Sequence, residues 1–449
     1  MMNSIEYIDI VIVGAGFTGL SAAKYFLSKS IKSVIIEGRS RLGGRTLTKK
    51  ICDDDDDNNH LIIDLGGQWI TENQKRIFSF IREYSIDLIE QTWFNENPNY
   101  LGQLIGLKPL NNEQLDIINQ IYNQWDSMAL EFENVENALL YEKSSQWDKI
   151  SLKTFIEQNE LVNDLRIKQE LKLQILTLTA CDCENVSLLY WLIFIRSIPG
   201  GLKTLDDGFN GAQQYKIKYG TESLCLKLAN NQEIRFNEQL ISVDYSLNDK
   251  ILLKFNSNKQ IICQRLLLAF SSTLISPIKF IPNIELDYLS SSMIAGQCIK
   301  TIFIYSKPYW KDRKINQSNK QGPCSNIFEL KNPHGLIGLI LGNDCSLWLN
   351  KNENELIQSI IEQYQLLYNI NEKPLKTFIQ YWPKESLSKG CYAAIYSPSL
   401  SSKWFHRNQS LINNRIWLAS TESALEWITY IEGAIEAGQR FAQYIINSL

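Results

Sequence analysis

Residues 8–19 read Ile8-Asp9-Ile10-Val11-Ile12-Val13-Gly14-Ala15-Gly16-Phe17-Thr18-Gly19, an apolar run broken at once by three glycines in the spacing G-x-G-x-x-G. An apolar run of this length, closed by glycine, is the pattern of a buried parallel strand. Leu20, Ala22, Ala23, Tyr25, Phe26 and Leu27 then follow a helical period with a small-residue face, and a second apolar run at 34–36 ends on Glu37. The unit is strand, turn, helix, strand, with an acid eighteen residues past Gly19. Each position has a chemical reason. Gly14 makes the tight turn, Gly16 lets backbone approach a pyrophosphate, and Gly19 permits close helix packing, while the helix N-terminus favours the anion. Glu37 offers a carboxylate to a ribose diol and would repel a 2′-phosphate. A dinucleotide-binding domain is expected, with a ligand-free glycine turn as its alternative.

The rest of the chain fits a folded enzyme of more than one domain. Its 449 residues allow two or three domains at roughly 150 residues each. With 44% hydrophobic and 21% charged residues, disorder of the whole chain is excluded. The net charge of −4 is local: residues 53–57 are five consecutive aspartates, and without them 44 acids face 45 bases. Neither nucleic acid nor an anionic membrane is therefore advertised as a partner, and the acidic run is expected at a solvated hairpin tip. Nine cysteines, an odd number, and no basic-then-apolar leader point to reduced thiols and a cytoplasmic location. The final Asn447-Ser448-Leu449 leaves a peroxisomal address as the lesser alternative. Cys181 and Cys183 have no second pair to complete a zinc site. The longest apolar run, 188–195, is far short of the roughly 20 residues a bilayer span needs. Only His60, His334 and His406 are present, none in a nucleophile motif, so the chemistry is expected to come from a bound cofactor.

Periodicity predicts helices in 74–89, 112–128, 161–181, 354–368 and 431–446, and strands at 239–245, 251–255, 261–270, 301–305 and 416–419. The fold class expected is α/β: a Rossmann-like nucleotide-binding domain interrupted by insertions that build an α+β second domain.

Two further glycine segments follow Glu37: Gly38-Arg39-Ser40-Arg41-Leu42-Gly43-Gly44-Arg45 and Asp64-Leu65-Gly66-Gly67-Gln68-Trp69. A diphosphate wants a fixed cation as well as N–H donors, and arginine suits it. Near the C-terminus stand Ala419-Ser420-Thr421-Glu422 and, from Trp427, the run Tyr430-Ile431-Glu432-Gly433-Ala434. Together these segments resemble the flavin monoamine oxidase family, within the wider group of FAD-dependent amine oxidases. The resemblance covers essentially the whole chain and is weakest over 101–183. It implies FAD rather than NAD as the cofactor. By it, Gly14, Gly16, Gly19, Glu37, Arg39, Gly44, Arg45, Gly66, Gly67, Gln68, Trp69, Leu240, Trp382, Thr421, Glu422 and Ile431 contact or frame FAD.

Ser388-Lys389-Gly390-Cys391-Tyr392 resembles the family segment whose cysteine carries FAD through an 8α-thioether, with Lys389 in place of a glycine. By the same resemblance Tyr392 and Tyr430 are the facing phenols that guide an amine, Lys300 holds a water near flavin N5, and Gln213 lines the substrate cavity. Read from the residues alone, Lys300 is better taken as a surface lysine at a strand end, and Cys391 as a small buried hydrophobe. The implied division is 1–82, 218–289 and 385–449 for the FAD domain, against 83–217 and 290–384 for the substrate domain. The implied reaction is monoamine oxidase-like: amine, O₂ and water give aldehyde, H₂O₂ and ammonia or a smaller amine. A small amine and O₂ are the expected partners, and a homodimer is an allowed assembly. Polyamine oxidase and L-amino-acid oxidase are the rivals on the same fold. Asp206 and Asp207 keep the first open, and no arginine among the carried-over cavity positions supports the second. A non-catalytic flavin-binding scaffold is the alternative from another class.

Overall fold

The computed structural model describes residues 5–53, 56–91, 110–205, 211–247, 249–284, 287–310, 322–400 and 410–449. The opening unit forms as its pattern requires: strand Glu6–Val13, helix Phe17–Ser28 and strand Val34–Ile36, parallel to the first. Residues 10–13 and 34–36 are buried, which is why neither run alternates with polar residues. A sheet grows on both sides of this unit, in the order Lys279–Ile281, Leu240–Asp244, Ile251–Phe255, Gln260–Leu268, Glu6–Val13, Val34–Ile36, Glu233–Arg235. It is parallel from Gln260–Leu268 to Glu233–Arg235. Strand Gln260–Leu268 has two partners on its outer edge. Ile251–Phe255 pairs antiparallel along residues 260–263, and Ile416–Leu418 pairs parallel along 266–268. That second pairing returns the C-terminal segment to the end of the sheet where the glycine turn lies. The terminal helix Ile431–Ile446 then packs on Phe17–Ser28 almost backbone to backbone, since a Cβ on Gly438 would lie 2.2 Å from Ser21 Oγ and from the Thr18 carbonyl.

A second sheet is antiparallel throughout, in the order Asn326–Leu330, Gly335–Leu341, Cys298–Ile304, Lys376–Tyr381. Its strand Cys298–Ile304 is buried at every position, and alternation divides the strand between two environments. Ile299 and Phe303 meet the helix Glu353–Tyr368 through Leu356, Ile360 and Tyr364. Cys298, Ile302 and Ile304 face the other way, into a cluster with Leu65, Trp382 and Cys391. Lys300 shares that second face. A third, helical region joins Asn112–Leu130, Leu165–Thr179 and Leu188–Arg196 around Trp125, Leu171, Ile175 and Trp191, and Trp427 and Ile428 reach into it.

Several expectations are corrected. The helix expected over 74–89 is Lys75–Glu83, because Ser85 takes a left-handed φ of 50° and the chain continues as strand Leu88–Glu90. The strand expected at 301–305 is Cys298–Ile304, and Asn326–Leu330, Gly335–Leu341 and Lys376–Tyr381 went unread. Thr48–Asp53 and Asp56–Asp64 pair as a hairpin, with Asp54 and Asp55 outside the described residues. Among the described residues no helix is long and apolar enough to cross a membrane, and no cluster of His, Cys, Asp and Glu could hold a metal ion.

Candidate active site

One cavity of about 2120 Å³, its open mouth included, runs along the C-terminal ends of the central strands. Gly14, Gly16, Glu37, Arg39, Gly44 and Leu240 line it. Gly14 sits at φ 112°, and a Cβ there would meet the Ala269 carbonyl at 2.6 Å, so only glycine makes this turn. Gly19 is behind the wall rather than in it: its Cβ would lie 1.9 Å from the Gly14 carbonyl. The Glu37 carboxylate is buried and accepts from Ala15 N at 2.7 Å and Arg39 N at 2.8 Å, which fixes it at the end of its strand. Arg39 donates to Ser388 Oγ at 2.9 Å, joining this wall to the Cys391 segment.

A second group of lining residues contains Gly66, Gly67, Gln68, Trp69, Gln213, Lys300, Phe328, Trp382, Cys391, Tyr392, Thr421, Tyr430 and Ile431. Lys300 lies in mid-strand, 3% exposed, and not at a surface strand end. Its Nζ donates to the Gly66 carbonyl at 2.9 Å and Gln68 Oε1 at 2.6 Å, and stands 5.3 Å from the centre of the Trp69 ring. Desolvation lowers its pKa to about 8, against the opposing charge of buried Asp64. Asp64 is itself held by Thr48 Oγ1 at 2.6 Å and by Thr221 N and Oγ1, each at 3.1 Å. Trp69 packs on Phe328 with ring centres 4.8 Å apart, and Trp382 Nε1 donates to the Leu65 carbonyl at 2.9 Å.

Arg45 lines the cavity while its guanidinium grips Glu422, Nη1 to Oε1 at 2.6 Å and Nη2 to Oε2 at 3.0 Å. Burial would raise the Glu422 carboxyl, but Arg45, Ser420 and the Ala394 N–H outweigh it and hold it at about 2. The same pair holds the segment after Cys391, for Arg45 Nη1 donates to the Tyr392 carbonyl at 3.1 Å and Ala394 N to Glu422 Oε1 at 2.9 Å. Glu422 thus acts from behind the cavity wall. Burial pushes the Cys391 thiol up to about 12 despite Arg45 and Lys300 nearby. Lys389 takes the left-handed φ of 57° that a glycine would take freely, and its Nζ donates to the Thr273 carbonyl at 3.2 Å. Ser420 is extended, φ −163°. Tyr430 is placed by Thr421 Oγ1, which donates to its carbonyl at 2.8 Å, and by the Trp427 ring, edge-on at 5.2 Å.

Sequence reasoning missed Asp64 as the counter-charge to Lys300, and missed the lining residues Thr177, Leu178, Phe328, Leu339 and Thr429. The β-branched and aromatic pair Ile327-Phe328 within Asn326–Leu330 was a strand signal available for Phe328. Asp206 and Asp207 lie outside the described residues.

The family model for flavin-containing amine oxidoreductases matches residues 17–446. The chain belongs to that family. This amine oxidoreductase is 26% identical to the probable flavin-containing monoamine oxidase A of Dictyostelium discoideum, over 98% of each chain. It is 25% identical to the flavin-containing amine oxidase A of Equus caballus, over 98% of this chain and 85% of that one. A solved putrescine oxidase shares its fold with a TM-score of 0.85 at 19% identity, over 99% of this chain and all of the other. Cyclohexylamine oxidase from Brevibacterium oxydans does so with a TM-score of 0.84 at 17% identity, over 98% and 99%. The protein is accordingly an FAD-dependent enzyme of amine oxidation, with the two-domain α/β flavoprotein fold. The residues present fit FAD. The glycine turn and Glu37 suit an adenosine diphosphate, and two buried amide atoms on the same cavity, Gln68 Nε2 and Gln213 Oε1, have no hydrogen-bond partner among the described residues and suit a heteroatom-rich ligand.

Proposed function

We propose that the chain oxidises a primary amine with an apolar body, Lys300, Tyr392 and Tyr430 serving the reaction and the glycine turn, Glu37 and the 66–69 segment holding FAD. When bound, FAD takes the two electrons of the amine Cα–N oxidation and passes them to O₂. The carrying observation is that Tyr392 and Tyr430, distant in sequence, line one cavity together with buried Lys300. Tyrosine faces present negative π density to an amine, and their bodies exclude water, favouring the neutral amine over the solvated ammonium. Leu178, Phe328 and Leu339 extend that wall with apolar surface, which suits a hydrocarbon body. Lys300, fixed between Gly66 and Gln68, is the group able to hold or release a proton beside the reacting atoms near neutral pH. The domain division at 82/83, 217/218, 289/290 and 384/385 goes with this reading.

The monoamine assignment is finer than family membership carries. One curated relative is a probable monoamine oxidase by name and another a flavin-containing amine oxidase, whereas the similar solved structures include putrescine oxidase, which leans towards the polyamine alternative, beside a cyclohexylamine oxidase. The two described arginines on the cavity, Arg39 and Arg45, are both engaged with carboxylates, against an amino-acid oxidase. An H₂O₂-release screen of purified FAD-loaded protein decides. Turnover of benzylamine or cyclohexylamine well above that of putrescine and spermidine supports the proposal, the reverse order supports the diamine reading, and activity on amino acids alone overturns both.

Covalent attachment through Cys391 Sγ is part of the proposal. In net terms the thiol S–H and one 8α C–H bond break, an S–C bond forms, and the two hydrogens leave to O₂ as H₂O₂. Acid-precipitated protein should stay yellow, and Cys391→Ala should release its flavin. Full release from the wild type would exclude the thioether.

A further inference from the structure

Within residues 427–430, two non-glycine residues hold left-handed backbone, Trp427 at φ 53° and Thr429 at φ 77°. For a β-branched residue such a φ is a true outlier, and it persists only where the surroundings fix the chain on both sides. They do so here. Trp427 N donates to the Ser197 carbonyl at 2.9 Å and Ile428 N to Ser197 Oγ at 3.2 Å, tying the segment to the end of the helix Leu188–Arg196. Trp427 is 1% exposed, sunk in the helical core. Beyond the strained residue, Tyr430 N donates to the Trp427 carbonyl at 3.1 Å, and Thr421 Oγ1 to the Tyr430 carbonyl at 2.8 Å.

Glycine at 429 would take this backbone at no steric cost, yet a β-branched residue stands there, one of those lining the same cavity as Tyr392 and Tyr430. At Lys389, another left-handed residue lining the cavity, the side chain has a structural partner in the Thr273 carbonyl. Thr429 differs, for among the described residues no hydrogen bond engages its hydroxyl.

We propose that Thr429 is a specificity-determining residue, its γ branches occupying space beside Tyr430 and so setting how bulky an amine the site admits. The inference rests on the amine-oxidising reading of the cavity. A shape role and a strain role separate across three substitutions. Thr429→Ala removes the branches and keeps the left-handed backbone on a non-glycine residue. Thr429→Gly removes both, and Thr429→Val keeps the branched shape without the hydroxyl.

The test is kcat/KM of the FAD-loaded full-length protein over a graded series: butylamine, cyclohexylamine, benzylamine and 1-naphthylmethylamine. Both Thr429→Ala and Thr429→Gly should raise the ratio of the bulkiest amine to the best small one by about tenfold, the scale on which a methylene-sized change in a pocket discriminates. Thr429→Val should keep the wild-type ratio. The Tm of Thr429→Gly should exceed that of Thr429→Ala, since only glycine releases the strain. Ratios within twofold of wild type in folded, flavin-loaded Thr429→Ala and Thr429→Gly overturn the inference and leave the amine-oxidase reading intact. A wild type that turns over none of the series, nor any polyamine, overturns the reading and the inference together.

Discussion

The glycine-turn region and the lysine–tyrosine region share one cavity but are built on opposite plans. The first is nearly contiguous in sequence, from Gly14 to Arg45, and works through backbone: a turn no other residue can make, and a carboxylate fixed by two N–H donors. The second is assembled from residues 66–69, 213, 300, 328, 391–392, 420–421 and 429–431, brought together by several sheets and held by side chains. Binding a nucleotide asks for donors at fixed spacing, which local backbone supplies. Handling an amine asks for a cation, two aromatic faces and a dry wall, which converge only after folding.

That contrast breaks first at Lys300. If it serves the reaction with O₂, Lys300→Met should slow flavin reoxidation by about 100-fold, the scale of losing one preorganised electrostatic group, with FAD loading unchanged in stopped-flow traces. Wild-type reoxidation should inflect near pH 8, where burial places the lysine, and the variant should show no inflection. Stability gives an independent check. Below pH 8 the lysine is protonated folded and unfolded, so its burial penalty is fully present. Between about 8 and 10.5 the unfolded chain keeps the proton that the folded chain has released, and wild-type stability relative to Lys300→Met should rise through that window and then level off. Urea unfolding at pH 7 and pH 10 measures this. A difference that falls with pH would place the lysine's charge elsewhere.

Glu37→Ala attacks the other region. It should cost about 1.5 to 3 kcal/mol of FAD affinity in titrations of apo-protein, while the enzyme saturated with FAD keeps its kcat. A fall in kcat at full loading would show that the two regions are not separable. Glu422→Gln probes the join between them, since the pair with Arg45 fixes the segment that follows Cys391. With Arg45 partly exposed, a loss of about 2 kcal/mol of stability is expected, below the 3–5 kcal/mol of a fully buried pair. The Glu422 carboxyl is held at about 2, so its stabilisation is present above its ordinary 4.5 and is lost as pH falls through the folded value. Acid unfolding curves of wild type and variant should therefore converge between pH 4.5 and 2. Convergence above pH 5 would assign the stabilisation to another group.

The two regions also differ in how far the sequence alone reveals them. The Gly14 turn, the strand on either side of it and Glu37 were legible because local spacing dictates them. So was the terminal helix, whose small face at Gly438 meets Ser21 and Thr18. The second sheet was largely illegible: Gly335–Leu341 is an apolar run that periodicity alone does not distinguish from buried helix and that no motif flanks, and Lys376–Tyr381 is half-buried along its length. Lys300 was ambiguous from its neighbours, because only the register with Leu339 and Gln380 shows it to be mid-sheet. Asp64 was visible only as part of a glycine segment, although its charge opposes the desolvation of Lys300. The left-handed backbone at Thr429 contradicts local preference, and such contradictions concentrate where function overrides propensity.

The two tyrosines carry the amine-oxidising reading, and the smallest of the expected effects tests them most directly. Anaerobic stopped-flow mixing of FAD-loaded protein with its best amine should bleach the flavin in a single turnover. Tyr430→Ser and Tyr392→Ser should each lower the second-order constant of that bleaching about tenfold, on the order of 1.4 kcal/mol per lost face, with Tyr430→Phe close to wild type and thermal stability and FAD loading intact. Bleaching unchanged in both serine variants, or lost only in proportion to unfolding, would make Tyr392 and Tyr430 core residues and contradict the account.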